Sequence, residues 1–176
     1  IIGQHSAYYL TTGSDNSTLG ADAGMALTTG DYNVFLGSSS GKNVTTGSAN
    51  ITAGFYSAEG VQTGTDNVVF GVAALQYSGA ATSQNVAMGS NALLRTTGDS
   101  NIAIGHTAFQ ELTSGARNIA IGKAAGTSLW GTSFDTTTGS DNIFIGYMSG
   151  LASSTQRDRA VAIGYNAKVN ADDAIV

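Results

Sequence analysis

Side chains able to do chemistry are few in this chain, and their spacing decides what they could do. There are two histidines (His5, His106), two glutamates (Glu59, Glu111) and no cysteine. Glycoside cleavage needs two carboxylates flanking one bond, yet Glu59 and Glu111 stand far apart, and no Ser-His-Asp order or G-x-S-x-G elbow is present. Gly41-Lys42 and Gly122-Lys123 lack the upstream glycine and downstream hydroxyl of a phosphate loop. Aspartates recur near the turns, just before the asparagine in five of the repeats (Asp15, Asp31, Asp66, Asp99, Asp141), where turn chemistry explains them. What remains is recognition chemistry. Trp130, the only tryptophan, sits with Phe134 and Asp135 in one stretch, and Tyr56, His106 and Tyr147 recur beside glycines. Aromatic rings at such positions can stack on a sugar or dock on a receptor; the competing reading is that they fold back and pack.

The elements that position these residues follow from a repeat. One glycine series runs Gly3, Gly20, Gly37, Gly54, Gly71, Gly89, Gly105, Gly122, Gly146, Gly164, with spacings of 17, 17, 17, 17, 18, 16, 17, 24 and 18. Four residues before all but the first and last stands an asparagine, among them Asn33, Asn67, Asn101, Asn118 and Asn142; the last unit has Ala160 instead. Three residues after the glycine stands Ala or Ser. The motif T-G-x-x-N-x-x-x-G-x-x-[AS] therefore recurs about every 17 residues. The series is cut at both ends, so residues 1–176 read as one repetitive segment of a longer fibrous chain.

Between Asn and Gly lie Val34-Phe35-Leu36, Val68-Val69-Phe70, Ile102-Ala103-Ile104 and their equivalents, which are β-branched and aromatic. They predict short strands bounded by turn residues. Seventeen residues are too few for two helices and their turns, so the expected fold is all-β: a parallel β-solenoid of about ten coils. Glycine at a coil corner permits positive φ and avoids a Cβ colliding with the next coil. Asparagine tolerates the left-handed region and can form ladders along the rod. Strand alternation is expected to turn the first and third residues of each triplet inward and the second outward. The outward set then includes Phe35, Val69, Ala103, Ala120 and Phe144, none charged. With mainly Ala or Ser on the opposite wall, one chain alone has a thin core. Both points predict that this face packs against neighbouring chains, three around an axis being the simplest closure.

Charge excludes other partners. Net charge is −5 and charged residues are 11% of the chain, with the seven basic ones scattered, so neither nucleic acid nor membrane insertion is expected. His5 and His106 lie six repeats apart, roughly 29 Å at the strand spacing, and cannot share a metal site in one chain. No cofactor and no enzymatic activity are expected. Paired threonines such as Thr28-Thr29 and Thr45-Thr46 suggest an ice-binding row, but they precede a turn glycine and the row is interrupted at Val61-Gln62-Thr63. The interval from Gly122 to Gly146 is seven residues longer than the rest and carries Trp130; insertions of this kind become loops on one face of a solenoid. Arg157-Asp158-Arg159 is the densest charge cluster and is read as a change of coil geometry or an inter-chain salt bridge.

Gly98-Asp99-Ser100-Asn101-Ile102-Ala103-Ile104-Gly105-His106-Thr107-Ala108 and Asn118-Ile119-Ala120-Ile121-Gly122-Lys123-Ala124-Ala125 resemble the N-x-A-[IV]-G-x-x-A repeats of trimeric autotransporter adhesin heads and of bacteriophage tail fibres. The resemblance implies a left-handed β-roll, an intertwined homotrimer and an extracellular place on a virion or a bacterial surface. The period near 17, longer than in the compact adhesin heads, favours the fibre version. The expected function is a tail-fibre shaft or receptor-binding region, with a cell-surface glycan or protein as partner. The alternatives are a bacterial adhesin head and, further off, a glycan-depolymerising spike.

Overall fold

The structure, a computed structural model, describes residues 1–127, 138–152 and 156–176. Each Asn-x-x-x-Gly segment, and the segment from Ala160 to Gly164 in the last unit, forms a three-residue strand: β1 (Ser17–Leu19), β2 (Val34–Leu36), β3 (Ile51–Ala53), β4 (Val68–Phe70), β5 (Val86–Met88), β6 (Ile102–Ile104), β7 (Ile119–Ile121), β8 (Ile143–Ile145) and β10 (Val161–Ile163). Two shorter strands, β9 (Gly150–Leu151) and β11 (Lys168–Val169), pair with each other. The nine repeat strands form one parallel sheet in chain order, and no helix occurs among the described residues. This is a β-solenoid of about eight turns. Equivalent residues pair throughout, as in Ile102↔Ile119 and Ala103↔Ala120. The register survives the long interval, since Ile119 pairs with Ile143.

The glycine requirement is as expected. Gly105 has φ +136°, and a Cβ there would lie 2.5 Å from the carbonyl oxygen of Gly122 in the next coil. Asparagine acts differently from one of its two expected roles. The left-handed residue is the one before it, such as Tyr32 (φ 59°), Ala49 (φ 56°) or Arg117 (φ 57°). The asparagine itself points inward and builds a ladder. Asn33 donates from Nδ2 to Asn16 Oδ1 (3.1 Å) and to the Gly47 carbonyl (2.9 Å), and its backbone N–H donates to the same Asn16 Oδ1 (2.9 Å). The pattern recurs through Asn50, Asn67, Asn118 and Asn142, so buried polar groups find partners in adjacent coils.

The expected orientation of the strands is reversed. Phe35, Val69, Ala103, Ala120 and Phe144 are fully buried inside their own chain. Their side chains offer nothing to a neighbour, so they are not interface residues. The reason is parity. The ladder turns Asn inward, and alternation with period two then turns the second triplet residue inward too and the first and third outward.

Nor is the core thin. The coil corner four residues after the repeat glycine supplies the volume that the strand lacks. Where the strand has Phe35, the neighbouring corners have Gly24 and Gly41, and a Cβ at either would lie 2.6 or 2.7 Å from the Phe35 ring. Where the strand has Ala87, Ala103 and Ala120, the corners carry Leu75, Leu93 and Phe109, all fully buried. A further column of Leu27, Val44, Val61 and Leu112 completes the interior. Buried hydroxyls are matched as well: Thr18 pairs with Ser6 (2.7 Å), and Thr52 with Ser40. One chain thus packs a complete core.

Candidate interaction surfaces

The outward residues of the triplets form two columns across the sheet. The first runs from Ser17 and Val34 through Ile102 and Ile119 to Val161, and the second from Leu19 and Leu36 through Ile104 and Ile121 to Ile163. Neither column contains a charged residue over nine strands. Leu36, Phe70 and Met88 are each 40% exposed and Ile163 is 56% exposed. At the strand spacing the columns extend about 38 Å. A continuous apolar stripe of this size is a surface that proteins generally cover. Strand parity was the signal that locates it.

The residue after each repeat glycine forms a second column at the coil corner. Backbone bonds fix its register: Ala124 N–H donates to His106 O (2.9 Å), Met148 N–H to Lys123 O (3.1 Å) and Asn166 N–H to Tyr147 O (2.8 Å). His106, Lys123, Tyr147 and Tyr165 therefore rise from consecutive coils. The rings of Tyr147 and Tyr165 stack nearly parallel, 18° between planes and 5.5 Å between centroids. Of the recognition residues expected from the sequence, His106 and Tyr147 are brought to this corner. Tyr56 lies one position further round and coils away, beside Phe55 (ring centroids 4.0 Å). Trp130, Phe134 and Asp135 lie outside the described residues.

A third column, the residue before each asparagine position, becomes ionic toward the end of the rod. Arg117 donates from Nε to Asp141 Oδ1 (2.7 Å) and from a terminal guanidinium nitrogen to Oδ2 (2.8 Å). Arg159 meets Asp173 likewise (2.5 and 3.0 Å). The order along the column is Arg117, Asp141, Arg159, Asp173, with signs alternating. The guanidinium hydrogen bonds hold both carboxyls below the ordinary carboxylate range. Arg159 thus finds a partner in its own chain, where the sequence left an inter-chain bridge open.

Among the described residues no three metal-ligating side chains converge, no enclosed pocket forms, and no helix is long and apolar enough to cross a membrane. No family model, curated protein or solved structure matches this chain.

Proposed function

We propose that this chain is a structural and adhesive fibre segment that works as a homotrimer, with the sheet faces of three copies packed around a common axis. The observation that carries the reading is the uncharged double column on the sheet, exposed in a single chain although that chain's core is already complete. Three copies of the same periodic face, set in register around one axis, cover one another coil for coil, and the contact between different parts of the face closes after three copies. Such a rod is stiff because each coil is bonded to both neighbours, which suits a shaft that holds a binding surface at a distance. The period of about 17 residues and the N-x-A-I-G repeats support a tail-fibre shaft or receptor-binding region, with a left-handed coil of about ten turns over the whole chain. A bacterial adhesin head is the alternative, and the flanking sequence separates the two.

The test is solution mass by light scattering at low micromolar concentration. Three times 17.7 kDa is expected, and the double variant Ile104→Lys/Ile121→Lys is expected to give 17.7 kDa with its β-sheet spectrum unchanged. A monomeric wild-type chain, or a trimer indifferent to the lysines, overturns the reading.

A further inference from the structure

The corner column of the last four repeats combines features that the shaft reading does not use. Tyr147 and Tyr165 stack on each other, and Tyr165 is 81% exposed. Lys123 precedes them by one coil and His106 by two, both exposed. No ion pair involves Lys123 among the described residues, whereas Lys42, Arg95, Arg117 and Arg159 each face a carboxylate. Lys168 reaches the same corner, donating from Nζ to the Met148 carbonyl (2.7 Å). In a chain of net charge −5, the two corner positions after the repeat glycine carry one acid, Asp22, five coils before His106. Among the described residues this end of the corner therefore carries aromatic rings and a lysine, Lys123, with no acid at the two corner positions of the same coils.

We propose that this corner binds an acidic oligosaccharide, one whose pyranose rings carry carboxylates. Tyrosine faces and edges pack against the apolar C–H surface of a sugar while their hydroxyls hydrogen-bond its rim. Lys123 supplies a charge-assisted hydrogen bond to a carboxylate, and His106 a further polar contact. The coil repeat of about 4.8 Å is close to the length of one pyranose along a glycan chain, so successive sugars meet successive coils. Neutral glycans satisfy the tyrosines but leave Lys123 without a counter-charge. The inference deepens the adhesive part of the reading above and rests on it, but not on the trimer.

The experiment titrates the whole chain with a tetramer of galacturonic acid and, in parallel, with a neutral galactose tetramer, by calorimetry at low and at physiological salt. The acidic tetramer is expected to bind at least tenfold more tightly. Lys123→Gln is expected to weaken it about tenfold and to leave the neutral tetramer unaffected. Tyr147→Ala/Tyr165→Ala is expected to abolish both, with the thermal melt of each variant confirming the fold. Equal affinity for the two tetramers, or acidic binding that survives Lys123→Gln and the tyrosine double variant, overturns the proposal. Absence of binding by a chain that light scattering shows to be trimeric overturns this inference alone; a monomer that binds the acidic tetramer overturns the trimer alone.

Discussion

Two stretches of the rod solve the same stacking problem in different ways. From Asn16 to Asn142 the coils are joined by a ladder of neutral amides, buried for most of its length. Beyond it, Ala160 and Ala174 occupy the asparagine position, and Ala160 N–H makes the last contact with Asn142 Oδ1 (2.9 Å). The ionic column, one residue outward, begins beside the last amide rung with Arg117 and Asp141 and alone continues beyond it, with Arg159 and Asp173. The comparison teaches that the inward amide and the outward ion pair do not weigh equally. A buried amide ladder is shielded from salt and cannot titrate, whereas an exposed ion pair is screened by ions and is worth little at the surface.

The largest effect is expected in the interior of the ladder stretch. Phe35→Ala removes a ring between Gly24 and Gly41 and is expected to cost about 3–5 kcal/mol in thermal or denaturant unfolding. Gly41→Leu alone should also destabilise, because its Cβ would meet the Phe35 ring. Phe35→Ala/Gly41→Leu copies the arrangement of Ala87 with Leu93 and should recover at least half of the loss. Leu93 itself has φ 49°, so leucine accepts this corner conformation. A non-additive double-mutant cycle checks it.

Next is the ladder. Asn67→Ala strands the Thr82 carbonyl and the Asn85 N–H, which Asn67 now serves at 2.9 and 3.1 Å. About 3 kcal/mol is expected from two buried groups left unpaired, unchanged between low and high salt. Equal salt sensitivity of this variant and of the ionic column would erase the contrast between the stretches.

The ionic column should respond to acid where the ladder does not. The carboxyls of Asp141 and Asp173 are held below their ordinary value of 3.8 by Arg117 and Arg159. A carboxyl with a depressed folded value contributes stability above its unfolded value, and that contribution is lost as pH falls through the folded value. Protection from amide exchange, taken relative to the unfolded rate at each pH, is therefore expected to fall at β8 and β10 below about pH 4 before it falls at β3 and β4. Arg117→Glu should loosen the same coils, and Arg117→Glu/Asp141→Arg should restore them only in part, because the moved arginine then neighbours Arg159. Ala49→Gly is the smallest change. Ala49 is exposed at φ 56°, and relieving that strain should raise stability by about 0.5 kcal/mol in the same unfolding measurement.

Much of this molecule was legible in its sequence, and the reasons are local. The Gly series marked the corners because a Cβ there strikes the neighbouring coil. The triplets marked the strands because β-branched residues are bounded by turn residues. Constant spacing then dictated parallel, in-register stacking, as Ala103↔Ala120 and its equivalents display. Two other things belonged to tertiary structure. A three-residue strand has two faces of similar composition, so Ile102-Ala103-Ile104 does not say which side is inner; the direction of the Asn101 side chain decides, and that depends on the amides stacked above and below. The volume exchange between Phe35 and Gly41, or Ala103 and Phe109, is also invisible along the chain. It compensates residues six positions apart that meet only when the coil closes, because close packing acts on the summed volume of a layer and not on any one residue.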